Sequence, residues 1–225
     1  MQRPTLYVPD FTNYAQPFER LFRPVHSPKN PYSIDEMLKC DFLLLTGGED
    51  IDPVFYGHTP IQQCCHIPDN DRDKSEWELG QAAIEADIPI IGICRGAQWL
   101  SILAGGTLFQ HVNGHQSGTH TLITEETTPE PLKITTAHHQ MCDLRNVEHM
   151  LLAWTNHLST QYLSDGSVNL YPHGLSKEPE IFYIPSIRGF GVQGHPEWMA
   201  DTNPATQYIR SKLRDIYNLS GDKHA

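Results

Sequence analysis

Three features that would assign this chain to common functional classes are absent from its 225 residues. No stretch approaches the roughly 20 consecutive apolar residues of a membrane-spanning helix, and residues 1–11 lack the basic and apolar regions of a signal peptide. Lys and Arg number 16 against 27 Asp and Glu, and the net charge of −11 argues against a nucleic-acid or anionic-membrane partner. We therefore expect a soluble, cytoplasmic protein that acts on a small molecule.

The five cysteines and thirteen histidines also lack two common arrangements. Five cysteines in a chain of this length form no disulfide framework, so we expect them to be reduced. Three clusters could hold a metal: Cys64-Cys65-His66, His111 with His115, and His138-His139. Adjacent cysteines cannot form the usual C-x-x-C chelate, and His111 and His115 flank a glycine turn. The spacing therefore predicts no metal site.

Apolar runs alternate with helical patterns in the first half of the chain. The predicted elements are strands at Thr5–Val8, Phe42–Leu45 and Ile88–Ile93, and helices at Phe18–Phe22, Ile34–Cys40, Asp71–Ala86, Arg95–Ala104 and about Trp198–Leu219. This order predicts an α/β fold with a mostly parallel central sheet and helices on both faces. We expect residues 1–225 to form one domain. The second half is less regular, with short β-rich runs at 107–135 and 150–192 and a long polar region from Asn156 to Glu180.

Cys94 is the most informative residue, because it lies where an apolar strand runs directly into a helix. Glycines occur two residues before it and two after it, at Gly92 and Gly96. This spacing is typical of a nucleophile elbow, in which small residues allow a strained turn that exposes the reactive atom above the sheet. The helix N-terminus would also favour a thiolate. The alternative is a small apolar residue packed at the end of a buried strand.

A second segment, Gly191–Glu197, ends another apolar run with a histidine and a carboxylate two residues apart. If Pro196 keeps this segment extended, His195 and Glu197 lie on the same side of it. Glu197 could then orient the imidazole of His195 towards the Cys94 thiolate. The sequence therefore predicts a catalytic triad of Cys94, His195 and Glu197.

With these two segments identified, the chain resembles the class I glutamine amidotransferase superfamily, and within it the free-standing peptidase C26 branch. That branch contains γ-glutamyl-γ-aminobutyrate hydrolases. The motifs that carry the resemblance run in the expected order between about residues 43 and 198, and they are Leu45–Pro53, Asp71–Asp73 with Glu76, Gly92–Gly96 with Gln98, Gly105–Leu108, and His138–Gln140. The resemblance implies a flavodoxin-like fold.

The resemblance also implies roles around the nucleophile. The backbone N–H groups of Arg95 and of one glycine in Gly47-Gly48 would form the oxyanion hole. Substrate-binding residues would be Gln98, His138, His139 and Gln140.

Two departures from the family pattern affect the surroundings of this site. Thr136-Ala137 stands where a serine usually precedes the histidines, which puts the hydrogen bonding of that segment in doubt. Gly194 replaces a common aromatic residue, so the wall beside His195 is expected to be more open. The leaving amine could be bounded by Asp50, Asp52, Asp71, Arg72 and Asp73, although these segments also resemble a turn and a charged helix start.

The resemblance implies a cysteine-dependent hydrolase that releases glutamate and a small amine from a γ-glutamyl amide, without metal or organic cofactor. Two other classes stay open. One is a glutaminase subunit that delivers ammonia to a separate synthetase, and the other is a catalytically silent binding member of the fold. The sequence leaves the oligomeric state open as well, including a homodimer.

Overall fold

The computed structural model describes residues 2–10, 12–61, 70–156, 158–165, 168–169, 175 and 177–219. Cys64, Cys65 and His66 lie outside the described residues, as does part of the polar region from Asn156 to Glu180. The strands in the described part are β1 Thr5–Tyr7, β2 Arg23–Val25, β3 Phe42–Leu45, β4 Ile90–Ile93, β5 Thr107–Phe109, β6 His111–Val112, β7 Thr119–Thr121, β8 Lys133–Thr135, β9 Met141–Asp143, β10 Met150–Thr155, β11 Tyr162–Leu163, β12 Val168–Asn169, β13 Glu178–Ile184 and β14 Gly189–Val192. The α-helices there are α1 Ile34–Met37, α2 Asn70–Glu85, α3 Arg95–Leu103 and α4 Pro204–Tyr217. Short 3-10 helices cover Thr12–Phe18, Pro53–Tyr56, Pro185–Ile187 and Pro196–Trp198.

The central sheet has seven strands in the order β10-β13-β14-β4-β3-β1-β2. The pairings β1 with β2, β1 with β3, β3 with β4, and β4 with β14 are parallel. Strand β13 pairs antiparallel with both β14 and β10. The predicted α/β class with a mostly parallel sheet is therefore confirmed, with an antiparallel edge that the alternation of elements did not reveal.

Alternate residues of the sheet pack into two apolar clusters, one on each face. Leu43 and Leu45 of β3 pack with residues of α2 and α3. Phe42 and Leu44 pack with residues of α4 and of the 3-10 helix at Thr12–Phe18. Successive strand residues point to opposite faces, so a strand that is apolar throughout is covered on both sides. Helices on both faces are thus confirmed.

The element bounds differ modestly from those predicted. The helix expected at Phe18–Phe22 is instead the 3-10 helix Thr12–Phe18, and the helix expected at Ile34–Cys40 stops at Met37. The closing helix begins at Pro204 rather than near Trp198, because Asn203 caps its first turn by accepting a hydrogen bond from the Ala205 N–H. In the described part of the chain, no helix is both long and apolar enough to cross a membrane.

The carboxyl ends of β3, β4 and β14 meet at one edge of the sheet, because these neighbouring strands are parallel. Gly47 follows β3, Cys94 follows β4 and His195 follows β14. Ligands of open α/β sheets gather at this edge. The topology therefore brings together three segments that are separated by as many as 148 positions in sequence, from residue 47 to residue 195.

Candidate active site

Cys94 sits on a sharp turn between β4 and α3. Its φ of 52° and ψ of −107° lie in a region that a residue with a side chain rarely adopts. Such strain persists only where the surroundings hold it, and here the Cys94 N–H donates to the Val192 carbonyl at 2.8 Å. The flanking glycines are required for space, since a Cβ at Gly92 would lie 2.7 Å from the Ala97 N and one at Gly96 would meet the Leu45 carbonyl oxygen.

The expectation that Cys94 is exposed is wrong, because only 5% of its surface is accessible. The apolar cluster around β4 and β14 encloses it, and Tyr14 lies against that cluster. The elbow therefore presents its sulfur to a covered site and not to bulk water. Like Cys94, Cys40 and Cys142 are buried and form no disulfide within the described residues.

His195 is held between Cys94 and Glu197. Its Nδ1 donates a hydrogen bond to Glu197 Oε1 at 2.6 Å, and both side chains are buried. Burial lowers the pKa of His195, but hydrogen bonds with Cys94 and Glu197 outweigh it and raise that pKa to about 9. The segment is not extended as expected, because Pro196–Trp198 forms a 3-10 helix. The turn nevertheless leaves the carboxylate of Glu197 within reach of the imidazole.

Trp198 and strand β8 close the space around the imidazole of His195. Trp198 stacks on the ring with the centroids 3.8 Å apart and an interplanar angle of 5°, while 54% of Trp198 stays exposed. The wall beside Gly194 is not open as predicted, since a Cβ there would lie 2.7 Å from Ile134 Cγ1 and 2.7 Å from the Thr135 carbonyl. Tertiary packing from β8 takes the place of the missing aromatic side chain.

Tyr14 belongs to this site although the sequence analysis did not identify it. Its ring lies 6.3 Å from that of His195, and its hydroxyl approaches the position that a Cβ on Gly47 would occupy. Burial and the nearby Glu197 and Cys94 raise the pKa of Tyr14 well above its usual value. The hydroxyl is therefore protonated at neutral pH and can donate. No local pattern marks Tyr14, because it comes from a 3-10 helix remote in sequence from the elbow.

The turn after β3 is held by Arg72. Its Nη2 donates to the Gly47 carbonyl at 2.9 Å and to Thr46 Oγ1 at 3.2 Å. A side chain at Gly48 would collide with the Arg72 guanidinium. In a trans peptide the C=O of Gly47 and the N–H of Gly48 point in opposite directions. Anchoring the carbonyl on Arg72 therefore fixes the direction in which the Gly48 N–H can donate.

Behind the elbow is a buried set of charged groups, which we call the Arg95 network: Arg72, Asp73, Glu76, Arg95 and Trp99. Arg95 forms ion pairs with Asp73 and Glu76, and Glu76 also accepts from Arg72 Nε at 3.0 Å and from Trp99 Nε1 at 2.7 Å. Burial of Asp73 in this network corrects the expectation that it lines an amine pocket. The spacing of Arg72, Asp73 and Glu76, which places them on one helix face, is the sequence signal that could have predicted this network.

The other acidic candidates have separate positions. Asp52 caps the 3-10 helix Pro53–Tyr56 by accepting from the Val54 N–H at 3.0 Å, and Asp71 is exposed. Asp50 instead lies beside His139, whose Nε2 is 2.9 Å from Asp50 Oδ1. Of the two aspartates from the Gly47–Pro53 loop, Asp50 thus remains the candidate for contact with a ligand.

The predicted substrate-binding residues divide into two groups. Gln98 is buried on α3, and its Nε2 donates to the Gln140 carbonyl at 3.2 Å. His139 is partly exposed, with its Nδ1 3.3 Å from that of His111. His138 is buried, and its ring packs 4.7 Å from the ring of His115. His138 therefore belongs to a different group of side chains from the one around Cys94.

A parallel sheet with a strained cysteine elbow after one strand, and a buried His-Glu pair after its neighbour, defines an amidotransferase-like α/β class. Comparison with known proteins gives the family. The peptidase C26 family model matches residues 20–153. The protein belongs to the peptidase C26 family, whose named relatives are hydrolase-like and glutamine amidotransferase-like proteins.

Two relatives and one solved structure illustrate the range of proteins that this chain resembles. The glutamine amidotransferase-like protein YvdE of Lactococcus lactis subsp. lactis is 31% identical over 182 residues, which cover 79% of this chain and 72% of YvdE. The γ-glutamyl-γ-aminobutyrate hydrolase PuuD of Escherichia coli K12 is 28% identical over 191 residues, 77% and 70% of the two chains. A structure described as a GMP synthase subunit from Thermoplasma acidophilum superimposes with a TM-score of 0.60 at 16% identity, covering 97% of this chain and 99% of that one.

Some matches span only part of the relative. Two further proteins named as glutamine amidotransferases or amidotransferase-like match over 98 residues, which are 32% and 50% of their own lengths. Identity of 16% to the solved structure establishes a shared fold and nothing about the reaction.

Proposed function

We propose that this protein hydrolyses γ-glutamyl amides, with Cys94 as nucleophile, His195 as general acid and base, and Glu197 as the residue that orients His195. One observation carries the proposal. A strained elbow presents Cys94 to His195, and His195 donates to Glu197 at 2.6 Å. Nucleophile, base and orienting carboxylate are the three parts that covalent acyl transfer requires.

The protonation states favour attack by sulfur. Because the pKa of His195 is raised to about 9, its imidazole is a cation at neutral pH. A cation in hydrogen-bond contact with Cys94 stabilises the thiolate, as does the N-terminus of α3. Before substrate binds, His195 therefore already carries the proton that it must give to the departing amine.

The thiolate attacks the γ-carbonyl carbon, and a C–S bond forms as the carbonyl electrons move to oxygen. Collapse of this intermediate breaks the C–N bond, and the His195 imidazolium gives its proton to the departing amine. A γ-glutamyl thioester remains on Cys94. Neutral His195 then takes a proton from water, the hydroxide adds to the thioester, and glutamate leaves as the thiolate is restored.

Two groups of backbone donors are suitably located for the oxyanion. The first α-helical backbone bond of α3 runs from the Gln98 N–H to the Cys94 carbonyl, so the N–H groups of residues 95–97 precede that ladder. The Gly48 N–H faces away from the Arg72 anchor described above. Each donor of this kind contributes roughly 100-fold or more to the rate. Gln98, held by the Gln140 carbonyl, would bind the glutamyl head group.

The test is release of glutamate by the purified protein from glutamine and from γ-glutamyl conjugates of γ-aminobutyrate, polyamines and amino acids. PuuD, 28% identical, is named for one of these conjugates, which makes it a natural first substrate. Cys94→Ala should abolish release. Cys40→Ala is the matched control, because Cys40 is also buried but precedes β3, at the opposite edge of the sheet. Full activity in a folded Cys94→Ala protein would refute the mechanism.

A second candidate is a glutaminase subunit that passes ammonia to a separate synthetase. It is supported by the names of relatives such as YvdE, a glutamine amidotransferase-like protein that is 31% identical to this chain. The same panel separates the two. Cys94-dependent hydrolysis of one conjugate well above glutamine supports the free-standing hydrolase, whereas slow turnover of glutamine alone supports a partner-dependent subunit.

A further inference from the structure

A second group of ionisable side chains lies in the interior, and we call it the histidine cluster: His115, His120, His138 and Glu180. One nitrogen or oxygen atom from each residue lies within 4.8 Å of those from the other three. All four residues are buried, with exposures of 0%, 5%, 3% and 0% respectively. Four groups of this kind rarely share a dry interior without a shared function, because each is costly to bury alone.

The cluster is assembled from four separate segments. His115 follows β6, His120 is in β7, His138 lies between β8 and β9, and Glu180 is in β13. The rings of His115 and His120 are 4.4 Å apart at 89°, and those of His115 and His138 are 4.7 Å apart. The cluster therefore joins the less regular second half of the chain to a strand of the central sheet.

Hydrogen bonds at the outer nitrogens decide where two of the imidazole protons lie. His138 Nδ1 is 2.9 Å from the Gln140 carbonyl, and His120 Nε2 is 3.3 Å from the Gly114 carbonyl. A carbonyl oxygen can only accept, so each of these nitrogens carries a proton. In the neutral ring of His138, Nε2 then holds a lone pair that faces into the cluster. His120 Nδ1 also faces inward, but it donates to Glu180 Oε1 at 2.7 Å, so a metal ion would have to displace that proton.

His115 is arranged in the same way, with a carboxylate in place of the carbonyl. Its Nε2 lies 3.3 Å from Glu178 Oε2, and its Nδ1 lies 3.5 Å from Glu180 Oε1 without forming a hydrogen bond. A histidine whose outer N–H donates to a carboxylate is the usual arrangement of a metal ligand, since that bond fixes the tautomer and increases ligand basicity.

The two glutamates differ in how their charge is satisfied. Glu178 accepts from the Tyr162 hydroxyl at 2.7 Å, from the Leu158 and Ser159 N–H groups at 2.8 and 2.9 Å, and from the Thr155 hydroxyl at 3.0 Å. Glu180 has His120 Nδ1 at 2.7 Å from Oε1, but its buried Oε2 has no hydrogen-bond partner among the described residues. His115 Nδ1 and His138 Nε2 are likewise buried without a hydrogen-bond partner among the described residues.

We propose that the histidine cluster is a structural zinc site, ligated by His115 Nδ1, His120 Nδ1, His138 Nε2 and one carboxylate oxygen of Glu180. The inward nitrogens of three histidines surround one buried carboxylate, and a cation that displaces their inward protons is a partner that all four groups could share. Imidazole nitrogen and carboxylate oxygen suit zinc, and four protein ligands close its tetrahedral shell. With bonds of about 2.0–2.2 Å, the donors would draw in by roughly 1.5 Å from their widest separation.

Zinc at this site would fix the positions of segments at the catalytic edge of the sheet. It takes no part in the reaction proposed above. The Glu180 carbonyl accepts from the Gln193 N–H at 2.8 Å, two residues before His195. The Gln140 carbonyl accepts one hydrogen bond from His138 Nδ1 and another from Gln98 Nε2, the second at 3.2 Å. Zinc would therefore tie together the two segments that hold His195 and Gln98.

This inference departs from the sequence-based expectation of no metal. That expectation considered His111 with His115 and His138 with His139 as pairs. The structure takes one histidine from each pair and adds His120 and a glutamate 60 positions further along the chain. Ligands spread over 66 positions, from residue 115 to residue 180, leave no spacing signal.

The experiment begins with the wild-type protein, stripped with a chelator, dialysed and titrated with zinc. We expect one equivalent of zinc per chain and a rise in Tm of about 5–10 °C when zinc exceeds its Kd 100-fold. Cobalt in place of zinc should give the visible absorption of a tetrahedral ion without a thiolate charge-transfer band. A folded, stripped protein that binds no zinc at micromolar concentration would overturn the proposal, because protons alone would then balance the cluster.

Variants locate the bound ion. Glu180→Gln should weaken zinc binding at least 100-fold, whereas His149→Gln should leave it unchanged, since His149 Nδ1 contacts the Val147 carbonyl at 2.7 Å and His149 is not part of the histidine cluster. Cys94→Ser and the double variant Cys64→Ser/Cys65→Ser should retain one equivalent. Undiminished binding in folded Glu180→Gln protein, or its loss in the cysteine variants, would refute the site. If Glu180→Gln does not fold, the cobalt spectrum of the wild type decides, because a thiolate band would place the ion elsewhere.

Discussion

Replacing Glu76 by glutamine should destabilise the protein strongly, because Glu76 is the shared acceptor of the Arg95 network. It is fully buried and is contacted by Arg72, Arg95 and Trp99. Glutamine has nearly the same shape but is neutral, and one end of its amide is a donor. The three groups that contact Glu76 are also donors.

The size of the effect follows from the charge left behind. Two guanidinium groups, Arg72 and Arg95, are balanced in this network by two carboxylates, Asp73 and Glu76. Removing one carboxylate leaves a buried cation without compensation, which costs about 3–5 kcal/mol. That is a large share of the about 5–15 kcal/mol by which a domain is usually stable.

Urea unfolding followed by tryptophan fluorescence measures this loss, since Trp99 is itself in the network. With an m-value of about 2–3 kcal/mol/M, the midpoint should fall by about 1–2.5 M. Glu78→Gln is the matched control, because Glu78 is exposed on the same helix and its substitution should stay within about 0.5 kcal/mol. A Glu76→Gln protein as stable as the Glu78→Gln control would refute the reasoning.

Three further predictions concern the elbow and its cover. Since His195 has its pKa raised to about 9, activity should fall as the pH rises through that value, and Glu197→Gln should move this fall to lower pH in a profile of kcat/KM. Gly96→Ala should unfold the elbow or abolish activity, because its Cβ would meet the Leu45 carbonyl oxygen. Tyr14→Phe should lower kcat about tenfold, the value of one hydrogen bond of about 1.4 kcal/mol, with little change in Tm.

The Gly96 and Tyr14 substitutions each have a matched control. Gly57→Ala has no atom within 4 Å of the new Cβ and should cost only about 1 kcal/mol, for its positive φ. Tyr208→Phe loses a hydroxyl that donates to the Leu152 carbonyl, away from Cys94, and should not change kcat. An unchanged descending limb in Glu197→Gln would contradict the assignment of the pKa, and equal kcat losses in Tyr14→Phe and Tyr208→Phe would contradict a role for Tyr14 in the site.

Local signals were sufficient for the parallel half of the fold. The apolar run Phe42–Leu45 is a strand with the bounds predicted, and α2 and α3 agree with their predictions to within one residue at each end. These elements are long or uniformly apolar, and they end at glycines or at charged residues. The antiparallel β10 and β13 were not distinguished, because direction within a sheet depends on long-range pairing that no local pattern encodes.

The candidate site shows the same division between features that local sequence encodes and features that depend on long-range packing. Cys94, His195 and Glu197 were predicted because the elbow and the His-Pro-Glu segment are each encoded within a few residues, and their catalytic roles remain predictions. The burial of Cys94, the contact with Tyr14 and the closure at Gly194 were missed or wrong. Each depends on which remote segment packs against the elbow, and sequence spacing does not specify that.

The charge around the elbow determines how Cys94 is activated. Arg95 is adjacent to Cys94 in sequence, yet its cation is neutralised by Asp73 and Glu76 in the buried network. The thiolate therefore depends on two other sources of positive potential, the N-terminus of α3 and the imidazolium of His195. Only the second can be removed by a change of pH. The same proton is the one delivered to the leaving amine, so its loss above about pH 9 should disable amine departure, while sulfur itself gains no proton as the pH rises.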